Sequence, residues 1–188
     1  PSSTYKHNSG GNPENIIDLT HEYLVNFHKK HYHPSNATFF TFGDIDPLEI
    51  QSYINENVLK SFKPEKNDIN VKNENRIDAP KTVSEFYNPM PEDENNHHVV
   101  LGWLLGESHD PVELLESYLI ANILLDNSAS PLRKVLENTD LGKSLSPLTG
   151  LEADHKELVF AAGLEGADSN NQQHVDHLIM NCLQDVVK

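Results

Sequence analysis

Apolar positions along the chain fall into alternating runs of helical and strand spacing. Leu19, Tyr23, Leu24, Phe27 and His31 recur at helical spacing and predict one buried stripe. Thr20 can cap this helix, with Glu22 facing the positive end of its dipole, and Pro34 stops it. Residues 38–42 then form a short β-rich run closed by Gly43. Upstream, Asn12, Pro13 and Glu14 predict a short helix reaching Ile17. Downstream, Asp46, Pro47 and Glu49 form a capping box that launches a helix over 47–60, with Leu48, Ile54, Val58 and Leu59 facing inward.

Residues 63–79 are polar, charged and short of large apolar side chains, so they predict a linker between two structural units. Such a segment is also the expected first site of proteolytic nicking. Two strands are expected after it, at 81–87 and 97–105, separated by a proline- and acid-rich loop over 88–96. Asp110 to Glu113 repeats the capping grammar of Asp46 to Glu49. Its helix, 110–125, carries Leu and Ile on more than one face, which predicts deep burial. Ser130 and Pro131 open another helix, ended by Gly142. Strands are expected over 144–153 and 157–164. Val175, Leu178, Ile179, Cys182, Leu183 and Val186 then mark the clearest helical stripe, with Ser169 as the expected cap.

At 188 residues the chain has room for one domain, or one and a part, and a hydrophobic share of 37% suffices for a core. A net charge of −15 argues against nucleic acid and against an anionic membrane surface. It would attract basic peptides, although solubility accounts for it more simply. Cys182 is the single cysteine, so no internal disulfide and no cysteine-based zinc cluster can form. Its place on an apolar helix face marks it as a small core residue. No apolar run is long enough to span a membrane, and no signal peptide is evident. The chain opens on Pro1, which leads us to expect a cut or processed polypeptide.

Eleven histidines invite a metal reading, and His28, His31 and His33 are the densest group. Residues three apart share a helix face, so His28 and His31 could approach one ion. No carboxylate sits at an offset that completes a site, however, and the simpler account has His31 packing and the others facing water or capping backbone. His174 and His177 flank the last helix's stripe and are read the same way. Neither H-E-x-x-H nor H-x-x-E-H occurs: after His21 and Glu22 come Tyr23, Leu24 and Val25. There is no nucleophile elbow and no glycine-rich phosphate loop, and Ser9, Gly10 and Gly11 read as a turn. No catalytic and no metal-binding residue is therefore assigned.

One further pattern is a succession of fixed words in one order. These are Asn8-Ser9-Gly10-Gly11 with Pro13, then Phe27-His28 with His31-Tyr32-His33-Pro34-Ser35-Asn36-Ala37, then Phe42-Gly43-Asp44. Later come Leu124-Leu125-Asp126, Ser130-Pro131-Leu132 and Gly163-Leu164-Glu165-Gly166. Together they resemble the presequence-protease branch of the pitrilysin and insulysin zinc metallopeptidases, clamshell enzymes of which this chain would be a minor internal part. The resemblance implies an α+β fold, mainly antiparallel sheet packed with helices, built as a pitrilysin- or mitochondrial-processing-peptidase-like repeat unit. In that frame residues 1–62 are the closing helix–strand–helix of the catalytic unit and 63–79 the linker. Residues 80–188 open the second, non-catalytic unit. The helix that would carry the zinc motif corresponds to 110–125, where Leu114-Leu115-Glu116-Ser117-Tyr118 holds no histidine.

The resemblance therefore implies no cofactor in this chain and zinc in the parent enzyme, which would hydrolyse short unfolded peptides. It implies a role in the chamber wall, and peptide anchoring by a strand added to the edge of Leu158, Val159, Phe160, Ala161, Ala162, Gly163 and Leu164. A run apolar on both faces equally reads as a covered central strand. Expected partners are peptide substrates and the remaining domains of the parent, without nucleic acid or membrane. The expected location is the cytoplasm, or an organellar matrix if the source is eukaryotic. Residues 38–42 are expected to join or pack beside the sheet, within one chain or exchanged in a homodimer of the fragment. Two rivals stand: a free-standing non-catalytic subunit that binds peptides or a partner, and a small histidine-based metal-binding protein.

Overall fold

The computed structural model describes residues 3–66, 69–87 and 97–188. It divides into two compact units, one of residues 3–72 and one built on residues 73–188.

The first unit is a series of short capped helices. Helix α1, Pro13–Ile16, is capped by Asn12, whose side chain accepts from the Glu14 N–H at 3.1 Å. Helix α2, His21–His31, is capped by Thr20, whose hydroxyl accepts from the Tyr23 N–H at 3.1 Å. A 3-10 turn at Pro34–Asn36 follows, and helix α3, Pro47–Asn57, starts under Asp46, which accepts from the Leu48 N–H at 2.8 Å. The helix expected to reach residue 60 ends sooner, at Asn57, and is followed by a 3-10 turn over Leu59–Ser61. Two further expectations fail here. The stripe of Leu19, Tyr23, Leu24 and Phe27 is exposed rather than buried, and residues 38–42 form no strand. The reasons are linked: no strand forms among the unit's described residues, so no sheet face is there to receive the stripe.

The second unit holds a four-stranded, wholly antiparallel sheet, so the α+β class is what the chain adopts. Its strands are β1 (His97–Glu107), β2 (Ser144–Leu145), β3 (Gly150–Glu152) and β4 (Glu157–Ala167). β4 runs between β1 on one side and β2 with β3 on the other. The expected strand over 144–153 splits in two because Pro147 interrupts it and the Thr149 N–H turns back to the Ser146 carbonyl at 2.9 Å. Gly150, at φ +145°, completes the break. The strand expected at 81–87 does not form, and Val83 and Phe86 are exposed. The loop expected at 88–96 lies outside the described residues.

Strand alternation sorts the sheet into two faces. Val99, Leu101 and Trp103 stand opposite Leu164, Ala162 and Phe160, and all six belong to the core. Helices α4 (Pro111–Leu125), α5 (Pro131–Glu137) and α6 (Gln172–Val186) supply Leu124, Leu132, Leu136, Val175, Ile179 and Cys182 to that same core. The stripe on α6 faces the core as its spacing predicts, with Val175, Ile179 and Cys182 buried and Leu178 and Leu183 half-buried, whereas Val186 is exposed at the helix end. Its cap is corrected: Asn171 precedes the helix, and Ser169 lies in a 3-10 turn capped by Asp168. The helix expected over 131–142 stops at Glu137, where the Asn138 side-chain amide donates to the Lys134 carbonyl at 2.7 Å.

Helix α4 is also corrected. Only Leu124 is buried, while Val112, Leu115, Leu119, Ile120 and Ile123 are exposed. One side of the helix packs on the sheet unit, and the rest of an apolar surface remains open. Its cap is as expected, Asp110 accepting from the N–H groups of Val112 and Glu113 at 2.9 and 3.3 Å. Glu113 does not close the capping box, however: its carboxylate accepts from the Glu107 N–H at 3.0 Å and so ties the helix to the end of β1.

Candidate functional site

The proposed anchoring residues Leu158 to Leu164 occupy the middle of β4, and both edges of that strand are in use. Toward β1, Val159, Phe160, Ala161, Ala162, Gly163 and Leu164 pair with Leu104, Trp103, Gly102, Leu101, Val100 and Val99. On the far side, Val159, Phe160 and Ala161 pair with Glu152, Leu151 and Gly150, and Leu164 pairs with Leu145. The gap between β2 and β3 is closed by the turn. The Ser146 N–H donates to the Gly163 carbonyl at 3.0 Å, and the Thr149 hydroxyl accepts from the Gly163 N–H at 3.1 Å. Of the two readings of this run, the geometry is that of the central strand. A peptide could pair with these residues only by displacing β3 and the 146–149 turn.

The register instead puts Val159 and Ala161 on the face opposite the core, beside Leu104, Gly102 and Val100 on β1 and beside Glu152 and Gly150 on β3. A Cβ built on Gly102 or Gly150 meets nothing within 4 Å. This face is apolar, with Gly102, Ala161 and Gly150 side by side across it and Glu152 next to Val159.

A second cluster, at the ends of β1 and β4, escaped the sequence reading because half of it lies in the expected linker. Glu157 is 6% exposed. One of its carboxylate oxygens accepts from the Arg76 guanidinium at 2.9 Å and the other from the Glu74 N–H at 2.6 Å. Arg76 also donates to the Leu104 and Leu105 carbonyls at 3.0 and 2.7 Å. The Asn73 side-chain amide donates to the Glu107 carboxylate. That bond, with Lys156, His109 and Arg76 nearby, holds the Glu107 carboxyl below its ordinary range despite some desolvation. Segment 73–76 is therefore fastened to the sheet, and the division between the units falls at Lys72 and Asn73.

The three clustered histidines of the first unit each have a separate contact. His28 stacks on Tyr32 with ring centroids 4.8 Å apart, and His31 meets Phe27 at 4.3 Å. His33 is buried, accepts from the Ser35 N–H at 3.1 Å through Nδ1, and meets Phe62 edge-on. His174 and His177 are exposed. Among the described residues no group of three His, Cys, Asp or Glu side chains could hold a metal ion. No helix among the described residues is long and apolar enough to cross a membrane.

Fold and site together define a class: an α+β domain with a helix-backed antiparallel sheet, an open second sheet face, and a sequence without a peptidase motif. The chain belongs to the peptidase M16 family, whose inactive-domain model ("Peptidase M16 inactive domain") matches residues 18–188. It is similar to the mitochondrial presequence protease of Aspergillus oryzae, at 35% identity over 95% of this chain and 18% of that protein. The corresponding protein of Xenopus laevis is 34% identical over 100% of this chain and 19% of its own length. Protein HypA of Clostridium perfringens is 30% identical over 100% of this chain and 19% of its own length. The chain spans about a fifth of the length of the curated relatives it matches.

Proposed function

We propose that this chain is a non-catalytic part of a zinc metalloendopeptidase that degrades short unfolded peptides, and that its sheet forms a stretch of the chamber wall. The observation that carries this reading is the match of residues 18–188 to the M16 inactive domain. The sequence supports it, since no H-x-x-E-H or H-E-x-x-H is present to hold zinc and activate water. Peptide handling by Leu158 to Leu164 then shifts from the strand edge to the strand face. The sheet face of Val100, Gly102, Leu104, Val159 and Ala161 would offer an extended peptide apolar contact with little sequence preference. Its partners are peptides and the remaining domains of the parent chain, and an organellar matrix suits a eukaryotic parent.

Two measurements test this. Purified chain should carry no stoichiometric zinc and should leave a quenched fluorescent unstructured peptide intact. Chelator-sensitive cleavage by clean protein would overturn the non-catalytic reading. In the parent enzyme, Ala161→Lys should raise the KM for such peptides, and an unchanged KM would remove this face from the peptide path.

A further inference from the structure

The segment 73–76 crosses the ends of β1 and β4 through polar contacts. Asn73, Asn75 and Arg76 are exposed and Glu74 is half-buried, so little apolar burial holds them down. The fastening is a fork of hydrogen bonds. Arg76 joins the Leu104 and Leu105 carbonyls to Glu157, Glu157 accepts from the Glu74 N–H, and the Asn73 amide donates to the Glu107 carboxylate. The two ends of the ion pair differ in setting: the Glu157 side chain is 7% exposed and that of Arg76 is 53% exposed. A buried carboxylate stripped of its cation is strongly unfavourable, which keeps the fork closed. A half-exposed guanidinium is screened by salt, which loosens it.

We propose that residues 73–76 are a releasable electrostatic strap that sets how much of the chain ahead of Tyr87 is fastened to the sheet. With the strap closed, the chain from Glu65, whose N–H is bonded to the Ser35 hydroxyl, to Asn73 can extend at most about 30 Å. With it open, the next described contact with the sheet is Tyr87 against His98, ring centroids 5.6 Å apart, and the reach from Glu65 to Tyr87 is at most about 80 Å. The strap is less secure than the sheet it lies on, because its Arg76 end is half-exposed while β4 is paired on both edges. It opens without unfolding the sheet.

Hydrogen exchange on the full chain, resolved by mass spectrometry at low and high salt, tests this. At low salt the Glu74 amide should be protected, and Arg76→Gln should speed its exchange by about tenfold or more while amides 160–164 stay unchanged. High salt should have the same effect on the unsubstituted chain. Arg76→Lys, which keeps the charge and loses the planar fork, should fall between the two. Glu157→Gln keeps an acceptor for the Glu74 N–H and should abolish the salt sensitivity. Equal protection of Glu74 in the unsubstituted chain and Arg76→Gln, or loss of protection only together with 160–164, would overturn the strap. Salt sensitivity retained in Glu157→Gln would overturn its electrostatic basis. Should Arg76→Gln fail to fold, the salt series on the unsubstituted chain and the Arg76→Lys variant decide the question alone.

Discussion

Gly163 stands directly across from Val100, so close that a Cβ on Gly163 would lie 2.2 Å from the Val99 carbonyl oxygen and 2.7 Å from Val100 Cα. Both obstacles are backbone, so neither can swing aside. On the neighbouring strand a Cβ on Gly102 would meet nothing within 4 Å. The two glycines share a sheet and differ in what they exclude. Gly163→Ala should force β1 and β4 apart and cost about 3 kcal/mol, an overpacking penalty. Gly102→Ala should be neutral or stabilising by up to about 1 kcal/mol, because glycine weakens a strand interior. Urea unfolding of the two variants checks both, and similar midpoints would refute the register.

Helix α4 gives a contrast between adjacent residues. Leu124 is 5% exposed and Ile123 is 60% exposed. Leu124→Ala should cost about 3 kcal/mol, from lost burial and the cavity left behind. Ile123→Ala should stay within about 0.5 kcal/mol. If the two substitutions cost the same, the helix presents a different face to the core.

That contrast shows where the sequence could be read and where it could not. The stripe on α6 was legible because Val175, Ile179 and Cys182 recur on one side of an otherwise polar helix and pack against the same unit's sheet. α4 is apolar all round, so composition announced burial without saying which face the fold would use. The stripe on α2 was legible as a pattern, but a pattern does not say whether its partner surface lies in the same unit. β4 was legible as a strand, and a run apolar on both faces did not reveal whether its edges were paired. The contact between Arg76 and Glu157 left no trace, since two charges far apart in sequence carry no period. The Asp46 and Asp110 caps were the most reliable signals, being decided within a few residues.

The pH dependence follows from Glu107. Its carboxyl titrates below the ordinary range because Asn73 donates to it, aided by Lys156, His109 and Arg76. Between the folded and unfolded values, the unfolded chain binds the additional proton, so stability rises with pH. The contribution is fully present above the ordinary carboxylate range and is lost as pH falls through the lowered folded value. Glu107→Gln should therefore be less stable than the unsubstituted chain at neutral pH, with the difference shrinking on acidification. Urea midpoints measured from neutral to acid pH check this, and a gap that widens in acid would reverse the assignment.

The last expectation concerns Cys182, which lies in the groove between α5 and α6 beside Val135, Leu178 and Asp185. Burial pushes its thiol above the usual value, and the Asp185 carboxylate adds to the shift. The thiolate is the reacting species, so at neutral pH the folded chain holds little of it. Its sulfur also sits within the packed core that includes Leu136 and Ile179. Alkylation by iodoacetamide should therefore be at least about a hundredfold slower in the folded chain than in denaturant, and should accelerate as pH rises. Asp185 is exposed and paired with Lys188 at 2.8 Å, so Asp185→Asn removes a like charge without opening the core. It should quicken alkylation modestly and leave the urea midpoint nearly unchanged. Rapid labelling of the unsubstituted folded chain at neutral pH would mean that α6 parts from α5 far more readily than a shared core permits.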